Sequence, residues 1–327
     1  MSVLKNKSLL VTGGTGSFGK AFVSRILKDD EINKLIIFSR DELKQFEMAE
    51  SISSPKVKFV LGDVRDSLRL LQACVGVDII VHAAAMKQIP AAEVNPIEAI
   101  KTNILGAENI VNAALALGVN KVIALSTDKA ANPANLYGAT KLCSDRLIIA
   151  GNTLSDKNLT KFACVRYGNV LGSRGSVVPF FLEKSKSGYI PITDVRMTRF
   201  WLTIEQAVQF VLDSLDRMHG GEIFVPKIPS FKVTDVARVA CPGIPTRVIG
   251  IRPGEKLHEV MITEDDSHST VEAETFYAVL SPNLKASGVY DSVTRPVAEG
   301  FRFSSDNNEF WHTDETFLAT LKESGIL

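Results

Sequence analysis

Within Ser126–Lys141, STDKAANPANLYGATK, the chain gathers a phenol, two amines, a carboxylate and several hydroxyls. Tyr137 and Lys141 stand four residues apart, so on a helix both side chains fall on one face. A cation beside a phenol favours the phenolate, which makes Tyr137 a candidate base near neutral pH. Just upstream are a hydroxyl, an acid and a second amine, at Thr127, Asp128 and Lys129. A tyrosine and lysine at this spacing also occur in ordinary helices, with the lysine solvated and the tyrosine half-buried. The weight therefore falls on the elements that would position them.

The N-terminal apolar run Ser8–Thr12 leads into Gly13-Gly14-Thr15-Gly16-Ser17-Phe18-Gly19 and then a helical pattern over Lys20–Leu27. In a strand–glycine turn–helix unit, backbone N–H groups and the helix N-terminus face a ligand's pyrophosphate. Gly13, Gly16 and Gly19 give a GxxGxxG spacing rather than GxGxxG. A second strand is expected over Lys34–Phe38, followed by Ser39 and Arg40, with Lys44 one turn later. An acidic residue at this tip suits the ribose hydroxyls of NAD, whereas arginine accommodates a 2′-phosphate. The composition points to NADP, although Asp41 and Glu42 are close enough to neutralise the cluster.

Further strands are expected at Val57–Leu61, Asp78–Val81, Val122–Leu125 and Cys164–Tyr167. A long helix is expected from Pro96 to Leu117, with Gly106 as a close-packing point. Alternation of this kind builds a doubly wound parallel α/β sheet of Rossmann type. Ser126–Lys129 then leaves the C-terminal end of the fifth strand, the edge at which open parallel sheets bind ligands. His82 closes the fourth strand and reads as a hydrogen-bonded strand-end residue.

Past residue 165 the pattern loosens. A donor-rich loop over Gly168–Gly175 precedes helices at Pro179–Ser187, Ile204–Met218 and Thr234–Ala240, a polar Met197–Trp201 segment and a short strand at Arg247–Ile251. The expected division is an NADP-binding domain over 1–165 and mainly a substrate-binding lobe over 166–327, with later segments free to return to the first. Arg174, Arg199 and Arg252 suit an anionic ligand such as a pyrophosphate, although each alone also reads as a surface ion pair.

Basic and acidic residues balance at 37 each over 327 residues, so no whole-chain field favours nucleic acid or a membrane surface. Four scattered cysteines read as buried thiols of a reducing compartment, and the histidines form no metal motif. With no signal peptide and no apolar run of spanning length, a cytoplasmic location is expected.

TGGTGSFG, GDVRD at Gly62–Asp66 and the tyrosine–lysine pair resemble the extended short-chain dehydrogenase/reductase family, whose members mostly act on nucleotide-sugars. More narrowly, FSRDELKQFEM, HAAAMKQIP, STDKAANPANLYGATK, RYGNVLGSRGSVVPFF, TDVRMTRFW and GEKLHE at Gly254–Glu259 resemble the inverting UDP-N-acetylglucosamine 4,6-dehydratases, which begin pseudaminic acid biosynthesis. The likeness runs from the first strand to about Pro282.

The resemblance implies a lyase in which oxidation at the sugar C4 acidifies the C5 proton. A base removes that proton, the C6 hydroxyl leaves as water, and the hydride taken from C4 returns to C6, so a tightly bound NADP(H) is recycled within each turnover. It implies that Tyr137 takes the C4 hydroxyl proton, Lys129 takes the C5 proton, Asp128 donates to the leaving hydroxyl, and Lys141 holds the nicotinamide ribose and lowers the tyrosine pKa. Retaining relatives carry an Asp-Glu pair where this chain has Asp128-Lys129. A lysine base requires an ammonium destabilised by burial or by another cation. Thr15–Phe18 are expected at the pyrophosphate, Ser39, Arg40 and Lys44 at the 2′-phosphate, and Asp63 and Val64 at the adenine. Ala83 and Lys87 would lie along the cofactor, Lys87 also near the sugar. Asn169, Val170, Arg174, Arg199, Arg252 and Glu255 would hold the UDP moiety of UDP-N-acetylglucosamine. A homo-oligomer with no nucleic-acid or membrane partner is expected. The alternatives are the related dehydratases of N-acetyl-L-fucosamine synthesis, a nucleotide-sugar 4-epimerase and a non-catalytic NADP sensor, the intact Tyr137/Lys141 pair weighing against the last.

Overall fold

The computed structural model describes residues 3–29, 31–156, 159–173 and 176–327. Strands β1 (Ser8–Thr12), β2 (Lys34–Ser39), β3 (Val57–Leu61), β4 (Ile79–His82), β5 (Lys121–Thr127) and β6 (Lys161–Tyr167) pair in parallel in the order 3-2-1-4-5-6. Glu222–Pro226 extends the parallel sheet beyond β6, and Phe276–Leu280, Thr270–Glu272 and Arg295–Pro296 complete it as antiparallel strands. All of β1 and β4 is buried. Helices on both faces of a parallel sheet leave no solvated side, which is why these strands read as unbroken apolar runs. His82 ends β4 fully buried, its Nδ1 2.8 Å from Thr12 Oγ1. Burial, with a smaller contribution from the Lys141 charge, depresses its pKa to about 3, so it stays neutral.

The expected long helix is interrupted. Pro96–Ile100 and Gly106–Leu117 are α-helical, but Lys101–Leu105 forms a π turn. That turn carries Asn103 inward, where its Oδ1 accepts the Met86 N–H at 2.8 Å and its Nδ2 donates to Met86 O and Thr140 Oγ1 at 2.9 Å each. A π turn of this kind is a frequent companion of functional sites, and here it ties the loop after β4 to the Leu136–Leu154 helix. Gly106 is a close-packing point as expected, since a Cβ there would come 2.9 Å from Val64 Cγ2.

The segment after β6 departs from its sequence reading. Asn169–Val170 is not loop but a short strand, pairing in parallel with Trp201–Leu202. The Met197–Trp201 segment, expected to be polar, supplies the strand Thr198–Leu202, buried throughout. Arg199 can be buried there because Thr198, Leu257 and Lys256 offer carbonyls to its guanidinium at 2.7–3.0 Å. A second apolar core lies beneath this lobe, with Phe317 packed between Trp201, edge-on at 5.7 Å between ring centroids, and Phe231, tilted at 4.6 Å. Three of the cysteines are buried, whereas Cys143 is exposed rather than buried as expected. No described helix is long and apolar enough to cross a membrane.

Candidate active site

The carboxyl ends of β1 to β6 open onto one cleft of about 640 Å³. Its floor is the glycine turn. Gly13 has φ +65°, and a Cβ there would come 2.9 Å from the Ala84 backbone; at Gly19 it would come 2.4 Å from Gly14 O. Only hydrogen at these positions lets turn, helix and neighbouring loop close up. The helix that follows, α1 (Ser17–Asp29), begins at the cleft with no acidic residue in its first turn. The N–H groups of a helix N-terminus and its dipole suit a diphosphate, so the residues fit a dinucleotide. Gly13, Thr15, Gly16, Ser17, Phe18 and Gly19 all line the cleft.

Ser39, Arg40, Lys44, Asp63 and Val64 line its outer end. Arg40 is largely solvated and lies 3.6 Å from Asp63, while Lys44 is paired with Asp41, the N-cap of the next helix. The acidic neighbours thus engage both cations in part. Burial opposes ionisation of Asp63, but hydrogen bonds from Arg65 outweigh it and hold the carboxyl below its usual range. Ala83 and Lys87 line the middle of the cleft, where burial lowers the Lys87 pKa.

At the inner end, the Leu136–Leu154 helix starts at the cap Asn135, whose side chain accepts the Gly138 N–H at 2.8 Å. A Cβ on Gly138 would come 2.2 Å from Lys129 O. This glycine therefore lets the helix sit directly on the 3₁₀ turn Asp128–Ala130, bringing Tyr137 and Lys129 to one wall of the cleft. Lys141 joins them on the same helix, and Thr127 completes the wall.

Asp128 lies behind that wall, fully buried, accepting from Thr127 Oγ1 and Lys129 Nζ at 2.9 Å each. A residue not foreseen, Glu259, meets Lys129 from the other side at 3.3 Å. Burial alone would drive the Lys129 ammonium to release its proton, but Asp128 and Glu259 outweigh it, and the amine is held above the ordinary lysine range. The expectation of a destabilised ammonium is therefore corrected for the free protein: the nearby cation, Arg199, is outweighed by two carboxylates. Burial raises the Asp128 pKa, aided by Glu259 and opposed by Lys129. Burial acts the same way on Glu259, but Lys129, Arg199 and Lys256 reverse the outcome and lower it. The two carboxyls are thus pushed in opposite directions, Asp128 upward and Glu259 downward.

Burial also pushes the Tyr137 phenol up to about 12; the cation pulling it back is Lys129, rather than Lys141, helped by a hydrogen bond with Thr127. Thr127 is thus part of the site although the motif alone did not single it out for a role.

The residues expected around the UDP moiety divide. Asn169 and Val170 line the cleft. Arg199 is outside its lining, its guanidinium bonded to backbone carbonyls and 3.7 Å from Glu259. Arg252 and Glu255 are also outside the lining, on a turn docked against the start of the Leu136–Leu154 helix, where Asn135 Nδ2 donates to Gly254 O at 2.8 Å. Glu255 accepts the Arg252 N–H at 3.2 Å. Arg174 lies outside the described residues.

A 3-2-1-4-5-6 sheet with a glycine turn after β1, and a tyrosine and lysine one helical turn apart beyond β5, defines the extended short-chain dehydrogenase/reductase class. The model of a family described as polysaccharide biosynthesis protein matches residues 9–281. The chain is 51% identical to the UDP-N-acetylglucosamine 4,6-dehydratase (inverting) of Campylobacter jejuni, over 98% of this chain and 99% of that one. It is 43% identical to a UDP-glucose 4-epimerase of Rickettsia bellii, over 84% and 83% of the two chains. Among solved structures, Pen from Bacillus thuringiensis superposes with a TM-score of 0.92 at 34% identity, covering 99% of this chain and 100% of Pen. The chain belongs to the polysaccharide biosynthesis protein family, on the branch of the inverting UDP-N-acetylglucosamine 4,6-dehydratases.

Proposed function

We propose that this protein catalyses the C5-inverting 4,6-dehydration of UDP-N-acetylglucosamine, giving water and UDP-2-acetamido-2,6-dideoxy-β-L-arabino-hex-4-ulose. The observation that carries the reading is the Asp128-Lys129 pair, set beside Tyr137 at the end of β5 in a chain that matches an inverting dehydratase along its full length. Bound NADP(H) supplies reversible hydride storage. Tyr137 takes the proton of the C4 hydroxyl, Lys129 takes the C5 proton, and Asp128 gives a proton to the departing C6 hydroxyl. Burial moves the Asp128 pKa upward, the direction a proton donor needs. Lys141 holds the cofactor ribose. Asn169 and Val170, which line the cleft, contact the UDP moiety in the lobe drawn mainly from 166–327, and Arg252 and Glu255 on the neighbouring turn, with Arg174 on the strength of its sequence motif, are assigned to the same moiety. Arg199 acts there indirectly, by fixing the Lys256–Leu257 backbone. The product serves pseudaminic acid synthesis, and the enzyme works in the cytoplasm as a homo-oligomer. Incubation with UDP-N-acetylglucosamine should yield a sugar with a new C6 methyl signal in the proton NMR spectrum; an unchanged C6 hydroxymethyl would overturn the reading.

A second reading, 4-epimerisation, is favoured by the name of the Rickettsia relative. It would give a C4 epimer with C6 intact, so the same spectrum separates the two.

The cofactor is NADP, read by Ser39, Arg40 and Lys44. Arg40→Ala should weaken NADP binding while leaving NAD binding nearly unchanged. A charge-assisted hydrogen bond is worth about 1.5–3 kcal/mol, and the exposure of Arg40 argues for the lower end, a loss of roughly tenfold. Calorimetric titration of both dinucleotides checks this; equal losses would mean that Arg40 does not read the phosphate.

A further inference from the structure

Glu259 enters the site from the end of the turn that begins at Arg252, far in sequence from the tyrosine–lysine motif. It is 3% exposed. Its Oε1 lies 3.3 Å from Lys129 Nζ and 3.7 Å from Arg199 Nε, and its Oε2 lies 3.9 Å from Lys256 Nζ with no hydrogen-bond partner. Its backbone is held on both sides, since its N–H donates to Ser305 Oγ at 2.9 Å and its carbonyl accepts the Ser305 N–H at 2.8 Å. Ser305 is in turn bonded to Thr198 Oγ1 at 2.7 Å. Two strands and the C-terminal segment thus fix one carboxylate against one amine. A buried carboxylate oxygen without a hydrogen-bond partner is costly in a fold. Its nearest cation is the amine on the cleft wall.

We propose that Glu259 is a positioning residue of the proton-transfer site: it holds Lys129 beside Asp128 and sets the pH at which that amine gains and loses its proton. The inference rests on the reading of Lys129 as the group that exchanges the C5 proton. The charged and titratable groups facing Lys129 are Asp128, Glu259, Arg199 and Tyr137, with Lys256 on the far side of Glu259. Asp128 and Glu259 favour the ammonium; Arg199 and burial oppose it. Without the Glu259 charge, Asp128 alone remains to balance burial and Arg199, and the amine releases its proton at lower pH. In the free enzyme Glu259 keeps the amine loaded, so the neutral fraction able to abstract from C5 grows with pH.

The test reads Lys129 directly. Its side chain reaches the cleft, so brief acetylation with acetic anhydride across a pH series, followed by mass spectrometry of the Lys129 peptide, gives the half-point of its titration in the absence of sugar. In Glu259→Gln the half-point should fall by about one pH unit or more, while Glu259→Asp, which keeps the charge but retracts it, should fall between wild type and the glutamine variant. The pH at which kcat for dehydration rises should move in the same direction. An unchanged half-point in a Glu259→Gln protein that melts like wild type overturns the proposal. Should the glutamine variant not fold, an unchanged half-point in Glu259→Asp does so. If wild type fails to dehydrate the sugar, the function proposed above is lost, yet the labelling still decides whether Glu259 governs the amine.

Discussion

Lys129→Met is expected to fold and to bind NADP normally, yet to lose dehydration by about 10²- to 10⁴-fold, the range over which a positioned base contributes. Methionine keeps much of the side chain's bulk along the cleft wall and removes its proton chemistry. The substitution also strands Asp128 and Glu259 without their shared cation, so some loss of stability accompanies it, because a buried carboxylate deprived of its partner is costly. The distinguishing sign is where the reaction halts. Lys129 takes no proton in C4 oxidation and only eases ionisation of Tyr137, so adding UDP-N-acetylglucosamine should still generate, more slowly, the absorbance of a reduced nicotinamide, with no water lost and no solvent deuterium at C5. A variant turning over near the wild-type rate would remove Lys129 from the mechanism.

Tyr137→Phe is expected to lose a similar factor one step earlier. Burial holds the free phenol near 12, so Tyr137 accepts the sugar hydroxyl's proton only from its ionised form. Thr127 and Lys129 are the groups placed to favour its ionised form. Phenylalanine fills the same space without the hydroxyl, and adding the sugar should then produce no reduced nicotinamide at all. Wild-type reduction in Tyr137→Phe would place the C4 base elsewhere. Together the two variants separate oxidation from elimination, which neither does alone.

Much of the fold is legible from residue patterns because parallel strands covered on both faces must be apolar throughout. Ser8–Thr12, buried throughout, has the same limits in sequence and structure; Val57–Leu61 does too, although it is an edge strand with Lys58 and Leu61 exposed, and the other strands of this half differ by a few residues at their ends. The pattern fails where burial is achieved by polar means. Thr198–Leu202 looks polar because of Arg199, but the guanidinium is satisfied by carbonyls from a segment nearly sixty residues away, which no local pattern reveals. The π turn at Lys101–Leu105 is hidden for a related reason: Asn103 is an ordinary helix residue until the Met86 backbone and Thr140 are brought to it.

The site divides in the same way. Residues on the turns after β1, β2, β4 and β5 are read from short contiguous motifs, and each of them except the buried Asp128 lines the cleft. Glu259 stands within a motif that carries the family likeness, GEKLHE, yet its relation to Lys129 depends on a chain reversal and on Ser305 near the far end of the chain. The last residues, which have little local signature, serve this purpose: Phe303–Ser304 pairs with Val260–Ile262 immediately after Glu259, and the helix Asp314–Glu323 seals the second core through Phe317 and Leu321.

Inversion at C5 is the central claim, and one measurement tests it most directly. UDP-N-acetylglucosamine is converted by the purified protein in deuterated water, and the first product formed is characterised by proton NMR. A lysine ammonium carries three protons and rotates, so the proton taken from C5 should exchange with solvent before one is returned. The expected product is a 4-keto-6-deoxy sugar of L-arabino configuration carrying deuterium at C5. A first product of D-xylo configuration, or one retaining the original C5 hydrogen, would contradict it.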